Sequence, residues 1–189
     1  MASPLLSATA QACVLSATSN ILAQAITAYR QNKPLSLNIT PIIHFVLLTI
    51  INCPPNVLWQ RFLERNFPGY TSALDFSDED VIGKGDDVGK PRLNVRNTMT
   101  KLLLDQTLGA GFNAVIFIVV IGFLRGETAP ELIEAVQKDF WPVIFAGLKL
   151  WPLVSFICFT VVPVEKRILV ASLAGVGWGV YLSLVAAET

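Results

Sequence analysis

The chain of 189 residues is 53% hydrophobic and only 15% charged, with a mean hydropathy of +0.57, where soluble domains carry about 25% charged residues. Lysine plus arginine equals aspartate plus glutamate at 14 each, so there is no basic excess for nucleic acid or for an acidic surface partner. Charges gather between residues 61 and 101 and almost vanish from 1–29, 39–60, 106–124 and 168–187, a partition that predicts an all-α membrane protein whose partner is the lipid bilayer.

A helix needs about 20 mostly apolar residues to cross a bilayer. By that measure the chain is a single transmembrane domain, a bundle of four to five transmembrane helices with spans near 5–29, 39–60, 104–124, 140–162 and 166–187. The first stretch is uncharged but rich in Ser, Thr, Gln and Asn. Its row Ala8, Ala12, Ser16, Asn20, Gln24 and Ala28 repeats every four residues, which suits a helix packed closely inside the bundle. The second contains Pro41, Pro54 and Pro55, and the proline pair predicts a kink or break near Cys53.

Residues 69–97 form a flexible charged loop, with Asp75, Asp78, Glu79, Asp80, Asp86 and Asp87 interleaved with Lys84, Lys90 and Arg92, and with Gly83, Gly85 and Gly89. Phosphate-cradling GxxxxGK[ST] spacing is absent there. Gln106–Leu124 is a clear span. Residues 140–162 are long enough for another but carry Lys149, Pro142 and Pro152, so this is the second proline-kinked segment, spanning or re-entrant. The final stretch places Ala171, Gly175, Gly179 and Ser183 on one face, with Gly175 and Gly179 as a GxxxG pair suited to packing within the chain or to a homo-oligomer. With five spans, nine basic residues fall on the side of the N-terminus and the long loop against four on the other, which puts that side toward the cytosol.

Chemistry is sparse. Cys13, Cys53 and Cys158 lack metal or disulfide spacing. His44 is the single histidine, so neither a histidine triad nor a metal cluster is expected and no cofactor is implied. The first basic residue is Arg30, so no cleaved signal is expected, and Ala187-Glu188-Thr189 is not a peroxisomal matrix signal. Ionisable groups at membrane depth are costly. Lys149 lies inside a span and either pairs with Asp105 in a polar lumen or snorkels to the interface. Asn20, Gln24, Asn52, Asn56, Gln60 and Asn113 either line a wet path with Asp105 and Gln106 or bind helices together. Trp59, Trp141, Trp151, Trp178 and Tyr181 fit interfacial anchors.

Lys149-Leu150-Trp151-Pro152, Phe159, Val162-Pro163, Arg167, Trp178 and Tyr181-Leu182-Ser183 resemble, in order and spacing, a pattern of W-P, N-F, V-P, R and W-x-x-Y-L-S. Lys101 with Asp105-Gln106 matches K-x-x-x-D-Q. Asn20 to Gln24 is similar to G-D-x-x-A-Q, and Pro54 and Trp59 fit G-P-x-x-H-x-W-Y. These residues resemble the four-span membrane proteins of peroxisomes and the mitochondrial inner membrane named after the Mpv-seventeen protein and the 22-kDa peroxisomal membrane protein. Asn20 stands where that family has aspartate, Val57 and Gln60 replace its histidine and tyrosine, and Ser155 and Cys158 replace its glutamine and asparagine.

The resemblance implies a multi-pass peroxisomal or mitochondrial inner-membrane protein, channel-like or permitting metabolite permeation, with the solute unspecified. Two alternatives stand beside it. One is a non-transporting organiser that binds lipid or a partner protein through the glycine face. The other is an intramembrane enzyme acting on a hydrophobic substrate with Asp105 or Glu165 as acid; no catalytic constellation supports it.

Overall fold

The structure is a computed structural model that describes residues 4–70 and 92–186, with side chains as far as Trp178. Among the described residues it is helical throughout, apart from turns and one isolated β-bridge. Helix α1, Pro4–Arg30, ends at Asn32, whose left-handed φ of 50° turns the chain into an extended connector. Asn38 caps the next helix by accepting from Thr40 N (3.1 Å). Gln24 holds that cap in place, accepting from Asn38 N (2.7 Å) and donating to Asn38 O (2.8 Å).

Helix α2 runs from Ile39 to Asn66 with Pro54 and Pro55 inside it, so no break occurs near Cys53. The prolines remove two backbone donors, but tertiary packing outweighs the loss: Cys53 and Val57 are buried against Ala12 of α1. The helix also continues past Gln60, because Glu64 turns inward rather than toward solvent. Helix α3 runs from Val95 to Leu124, starting well before the expected residue 104, with Asn94 as its cap (Asn97 N to Asn94 Oδ1, 3.0 Å). One π-helical turn, Asp105–Gly109, interrupts its α-helical pattern.

The segment predicted as 140–162 is two helices. Helix α4, Ala129–Gly147, begins a full three turns earlier than expected behind a Thr128/Glu131 capping box. Helix α5 is Trp151–Thr160, and the two meet at 56° across a break at 148–150. Pro142 lies inside α4 without ending it, whereas Pro152 sits in the first turn of α5, where a missing donor costs nothing. After a short 3₁₀ turn, α6 spans Arg167–Ala186.

Contacts fix which helix ends lie together. A side-chain carbon built on Gly122 would stand 2.5 Å from Leu132 Cδ2, and one on Gly111 would stand 3.8 Å from Phe140. Ser155 Oγ then reaches Asp105 (2.6 Å), and the Phe159 ring lies under Lys101. The broken pair α4–α5 therefore runs antiparallel along the whole of α3. At one end, Glu64, Lys101 and Arg167 join α2, α3 and α6, and Ile168 packs near Leu5 and Ala8 of α1. At the other, Asn38, Thr40, His44, Ile121 and Arg125 border a common groove.

Among the described residues three helices, α1, α2 and α3, are each long and apolar enough to cross a membrane, and the pair α4–α5, bent by 56°, is either a fourth, broken span or a re-entrant loop. The chain is a multi-pass α-helical membrane protein. α1 and α6 form its most extensive helix pair. Part of the predicted small-residue row on α1 is inside that packing, with Ala12 buried. Gly175 is not: among the described residues a methyl group there would meet nothing within 4 Å. The side chains of Gly179 and Tyr181, and the charged stretch from Thr71 to Pro91, lie outside the described residues.

Between these, Tyr70 and Leu93 form the antiparallel bridge, and Asn94 N donates to Gly69 O (2.8 Å). Asn97 Nδ2 binds Pro68 O (3.0 Å), and the Tyr70 hydroxyl donates to Thr160 O. Tyr70 and Leu93 are thus held side by side, with α2 and α3 joined through the residues that follow Asn66 and precede Val95.

Candidate functional site

Polar side chains on α2 recur every four residues at Asn52, Asn56, Gln60 and Glu64, the same face turn after turn. On α3 the facing positions are Lys101, Asp105 and Asn113. Because the helices are antiparallel, the two rows meet in layers.

The outer layer is ionic. Glu64 Oε2 accepts from Lys101 Nζ (2.8 Å) and from Arg167 Nη2 (2.6 Å), while its Oε1 accepts from Gly69 N (2.9 Å). Lys101 is fully buried and Arg167 is 5% exposed. Arg167 Nε adds bonds to Cys158 O (2.9 Å) and Val162 O (3.2 Å). The buried Phe159 ring offers its face to both cations, with centroid distances of 5.3 Å to Lys101 and 5.1 Å to Arg167. Two cations share one carboxylate. Gly69 makes this possible, since a side-chain carbon there would stand 3.0 Å from Lys101 Nζ.

The next layer centres on Asp105, at the start of the π turn. Its Oδ1 accepts from Trp59 Nε1 (3.1 Å) and Gln60 Nε2 (3.3 Å), and its Oδ2 from Ser155 Oγ (2.6 Å) and Gln106 Nε2 (3.4 Å). Gln106 also donates to Ser155 Oγ (3.0 Å). Trp59 is therefore part of the seam and not only an interfacial anchor; its ring stacks on Phe62. Gly109 admits it, because a methyl group at that position would stand 3.0 Å from the indole nitrogen. Gly109→Ala is expected to cost about 1–3 kcal/mol by overpacking. Gly175→Ala, with open space around it, should stay within about 0.5 kcal/mol of the parent. Thermal unfolding of the two variants in detergent checks the contrast.

Deepest is an amide layer. Asn113 Oδ1 accepts from Asn52 Nδ2 (2.8 Å) and Asn56 Nδ2 (2.8 Å), and Asn113 Nδ2 donates back to Asn56 Oδ1 (3.1 Å). Asn52 Oδ1, Gln60 Oε1 and Arg167 Nη1 are buried without a hydrogen-bond partner among the described residues.

Of the residues singled out from the sequence, the structure brings together Asp105, Gln106, Asn113, Lys101, Trp59 and Arg167 with Asn52, Asn56 and Gln60. Asn20 and Gln24 bond to each other (2.8 Å) beside Asn38, on a different helix and away from the seam. Lys149 is exposed at the α4–α5 break, and no ion pair joins it to Asp105 among the described residues. Pro54 sits one turn from Val57 and Leu58 on α2, Trp151 and Pro152 start α5, Pro163 precedes the 3₁₀ turn and Trp178 lies on α6.

Sequence reading missed Glu64 and Ser155. Glu64 carried a signal, its four-residue spacing from Gln60, but stood among charges assigned to the loop. Ser155 looked like the loss of a family glutamine; its hydroxyl keeps a polar contact to Asp105 and Gln106. Among the described residues no group of His, Cys, Asp and Glu side chains is placed to hold a metal.

The model of the Mpv17 / PMP22 family matches residues 122–183. PXMP2/4 family protein 3 of Dictyostelium discoideum is 28% identical over 142 residues, covering 70% of this chain and 77% of its own. Protein sym1 of Schizosaccharomyces pombe is 23% identical over 195 residues, covering 96% and 84%. Peroxisomal membrane protein 2 of Bos taurus is 32% identical over 83 residues, covering 44% and 42%. No solved structure matches. The match includes Phe159, Arg167 and the Ser155 position of the seam, so over residues 122–183, and along most of its length against the first two relatives, the chain is similar to proteins of the Mpv17 / PMP22 family.

Proposed function

We propose that the protein is a channel-like permeation component of an organelle membrane, peroxisomal or mitochondrial inner, with the polar seam as its path. The observation that carries this is the register. From Asn52 to Glu64 the row on α2 keeps polar atoms against α3 over about 18 Å of helix, most of it in an uncharged stretch of chain. Polar groups at membrane depth cost free energy that apolar packing would spare, and they commonly mark solute or ion pathways. Asn52 Oδ1 and Gln60 Oε1, unpartnered in the seam, are acceptors that a hydrated solute would satisfy. Kinship with a relative named as a peroxisomal membrane protein supports the setting.

The test is conductance of the purified protein in planar bilayers. We expect the wild type to conduct and Asn113→Leu, with helicity retained by circular dichroism, to conduct at least about tenfold less, because one layer of the path turns apolar. A correctly folded wild type that never conducts, or an Asn113→Leu variant that conducts equally, overturns the reading.

One observation favours a second reading, a non-transporting organiser. Asn56 and Asn113 bond reciprocally, a closed arrangement suited to holding helices together. That reading expects no conductance together with loss of assembly in Asn113→Leu.

A further inference from the structure

Helices α2 and α3 keep one antiparallel register, which sets Glu64 against Lys101, Gln60 against Asp105 and Asn52 against Asn113. Continued past the amide layer in the same steps of four, it brings His44 to Ile121 and Thr40 to Arg125. These four residues, with Asn38, Pro41 and Phe45, line a groove of about 270 Å³. A single water needs only roughly 10–15 Å³, so the groove has room for a larger group.

The two ends of the register differ in charge. Where Lys101 faces Glu64, Arg125 faces Thr40, and no carboxylate lines the groove. Glu127, two residues on, is folded against Gly122 instead. Among the described residues Arg125 forms no ion pair and its guanidinium makes no hydrogen bond. The Thr40 hydroxyl is likewise uncommitted, and Asn38 uses only its Oδ1, accepting from Thr40 N, so its Nδ2 is open. One cation and two neutral donors therefore share a groove that no acidic side chain balances.

Depth decides what kind of anion fits. Asn38 stands just before the first residue of α2 and Arg125 just past the last residue of α3, so the donors lie at the ends of two spans, where headgroups are. Ile121 is about 6 Å deeper than Arg125, and Phe45 about 9 Å from the start of α2, measured along the helices. With Pro41 they give the inner part of the groove an apolar wall. A free phosphate would leave that wall facing water, whereas a lipid lays acyl carbons on it with its phosphate at the rim. Phosphatidylcholine carries its own ammonium, so an unpaired guanidinium favours a headgroup of net negative charge.

We propose that this groove seats an anionic glycerophospholipid, with its phosphate on Arg125, Thr40 and Asn38 and the first carbons of an acyl chain against Pro41, Phe45 and Ile121.

The experiment is native mass spectrometry of the full-length protein, released from a neutral detergent after titration with dioleoyl phosphatidic acid or dioleoyl phosphatidylcholine. Phosphatidic acid should be retained at a concentration at least about fivefold lower than phosphatidylcholine, the scale of one basic residue at a membrane surface. Arg125→Gln should abolish that preference. Lys33→Gln, which removes an exposed cation from the connector before α2 but outside the groove, should keep it. Phe45→Ser should weaken retention of both lipids, and excess inorganic phosphate should displace neither. Equal retention of the two lipids by the wild type, a preference that survives Arg125→Gln, or one lost equally in Lys33→Gln would each overturn the proposal. Displacement by inorganic phosphate, or a Phe45→Ser variant that retains lipid as the wild type does, would make the groove a free-anion site and overturn its assignment to lipid. Circular dichroism confirms that each variant keeps its helices. Retention is read without any current, so its outcome is separate from whether the seam conducts.

Discussion

Glu64→Gln is expected to lower stability by about 3–5 kcal/mol, because breaking a buried ion pair leaves an uncompensated charge. Here the loss is compounded. Lys101 is fully buried and Arg167 nearly so, and both rest on the same carboxylate oxygen of Glu64. Removing the carboxylate leaves two cations around one phenyl ring, joining helices α2, α3 and α6. Lys101→Met should cost less, since Glu64 and Arg167 remain a balanced pair. Adding Lys101→Met to Glu64→Gln should recover part of the loss, a non-additivity that a double-mutant cycle measures directly. Chemical or thermal unfolding in detergent reads all four proteins. A Glu64→Gln variant within about 1 kcal/mol of the parent would mean the cluster is solvated and worth no more than a surface pair.

Asp105→Ala should be the other severe change, at about 3 kcal/mol or more. Its carboxylate receives donors from Trp59, Gln60, Gln106 and Ser155, drawn from α2, α3 and α5. Each buried donor left without an acceptor costs about 1–3 kcal/mol, and Gln106 and Ser155 can bond only to each other once the carboxylate is gone. Asp105→Asn should lie between, since one oxygen still accepts while the amide nitrogen opposes a donor. The same unfolding measurement separates the three. If alanine and asparagine prove equally mild, the π turn, rather than the hydrogen bonds, holds this part of α3 together.

Much of the architecture was legible from hydropathy alone, because lipid forces a spanning segment to be helical and apolar over a minimum length. α1, α2 and α3 follow from that rule. The ends of α2 and α3 did not, because Arg61, Glu64, Arg96 and Lys101 read as loop residues by charge, whereas Glu64 and Lys101 are helical and turned inward toward each other. Helix α4 escaped for a similar reason. Glu131, Glu134, Lys138 and Asp139 disqualify its first half as a lipid-facing span, yet it packs beside one. Proline was over-read as a breaker at Pro54–Pro55, where burial of Cys53 and Val57 keeps the helix whole.

Within the site, the family-like residues Lys101, Asp105 and Arg167 pointed to the right places but not to one another. The four-residue row on α2 was the missing link. Its members were visible singly as Asn52, Asn56 and Gln60, but extending the row to Glu64 required knowing that the helix did not stop. Lys149 shows the converse. It drew attention by position in a span that the fold divides, and the division leaves it outside.

The clasp formed by the Tyr70–Leu93 bridge and the Asn94–Gly69 bond has a consequence for how the chain tolerates change. Since the polypeptide departs and returns through adjacent residues, the entropic penalty of closing whatever lies between grows only as the logarithm of its length, about 0.6 kcal/mol per doubling. A reporter inserted between the two clasped flanks should therefore leave the register of α2 against α3 in place, because the clasp and not the intervening length fixes where the two helices meet.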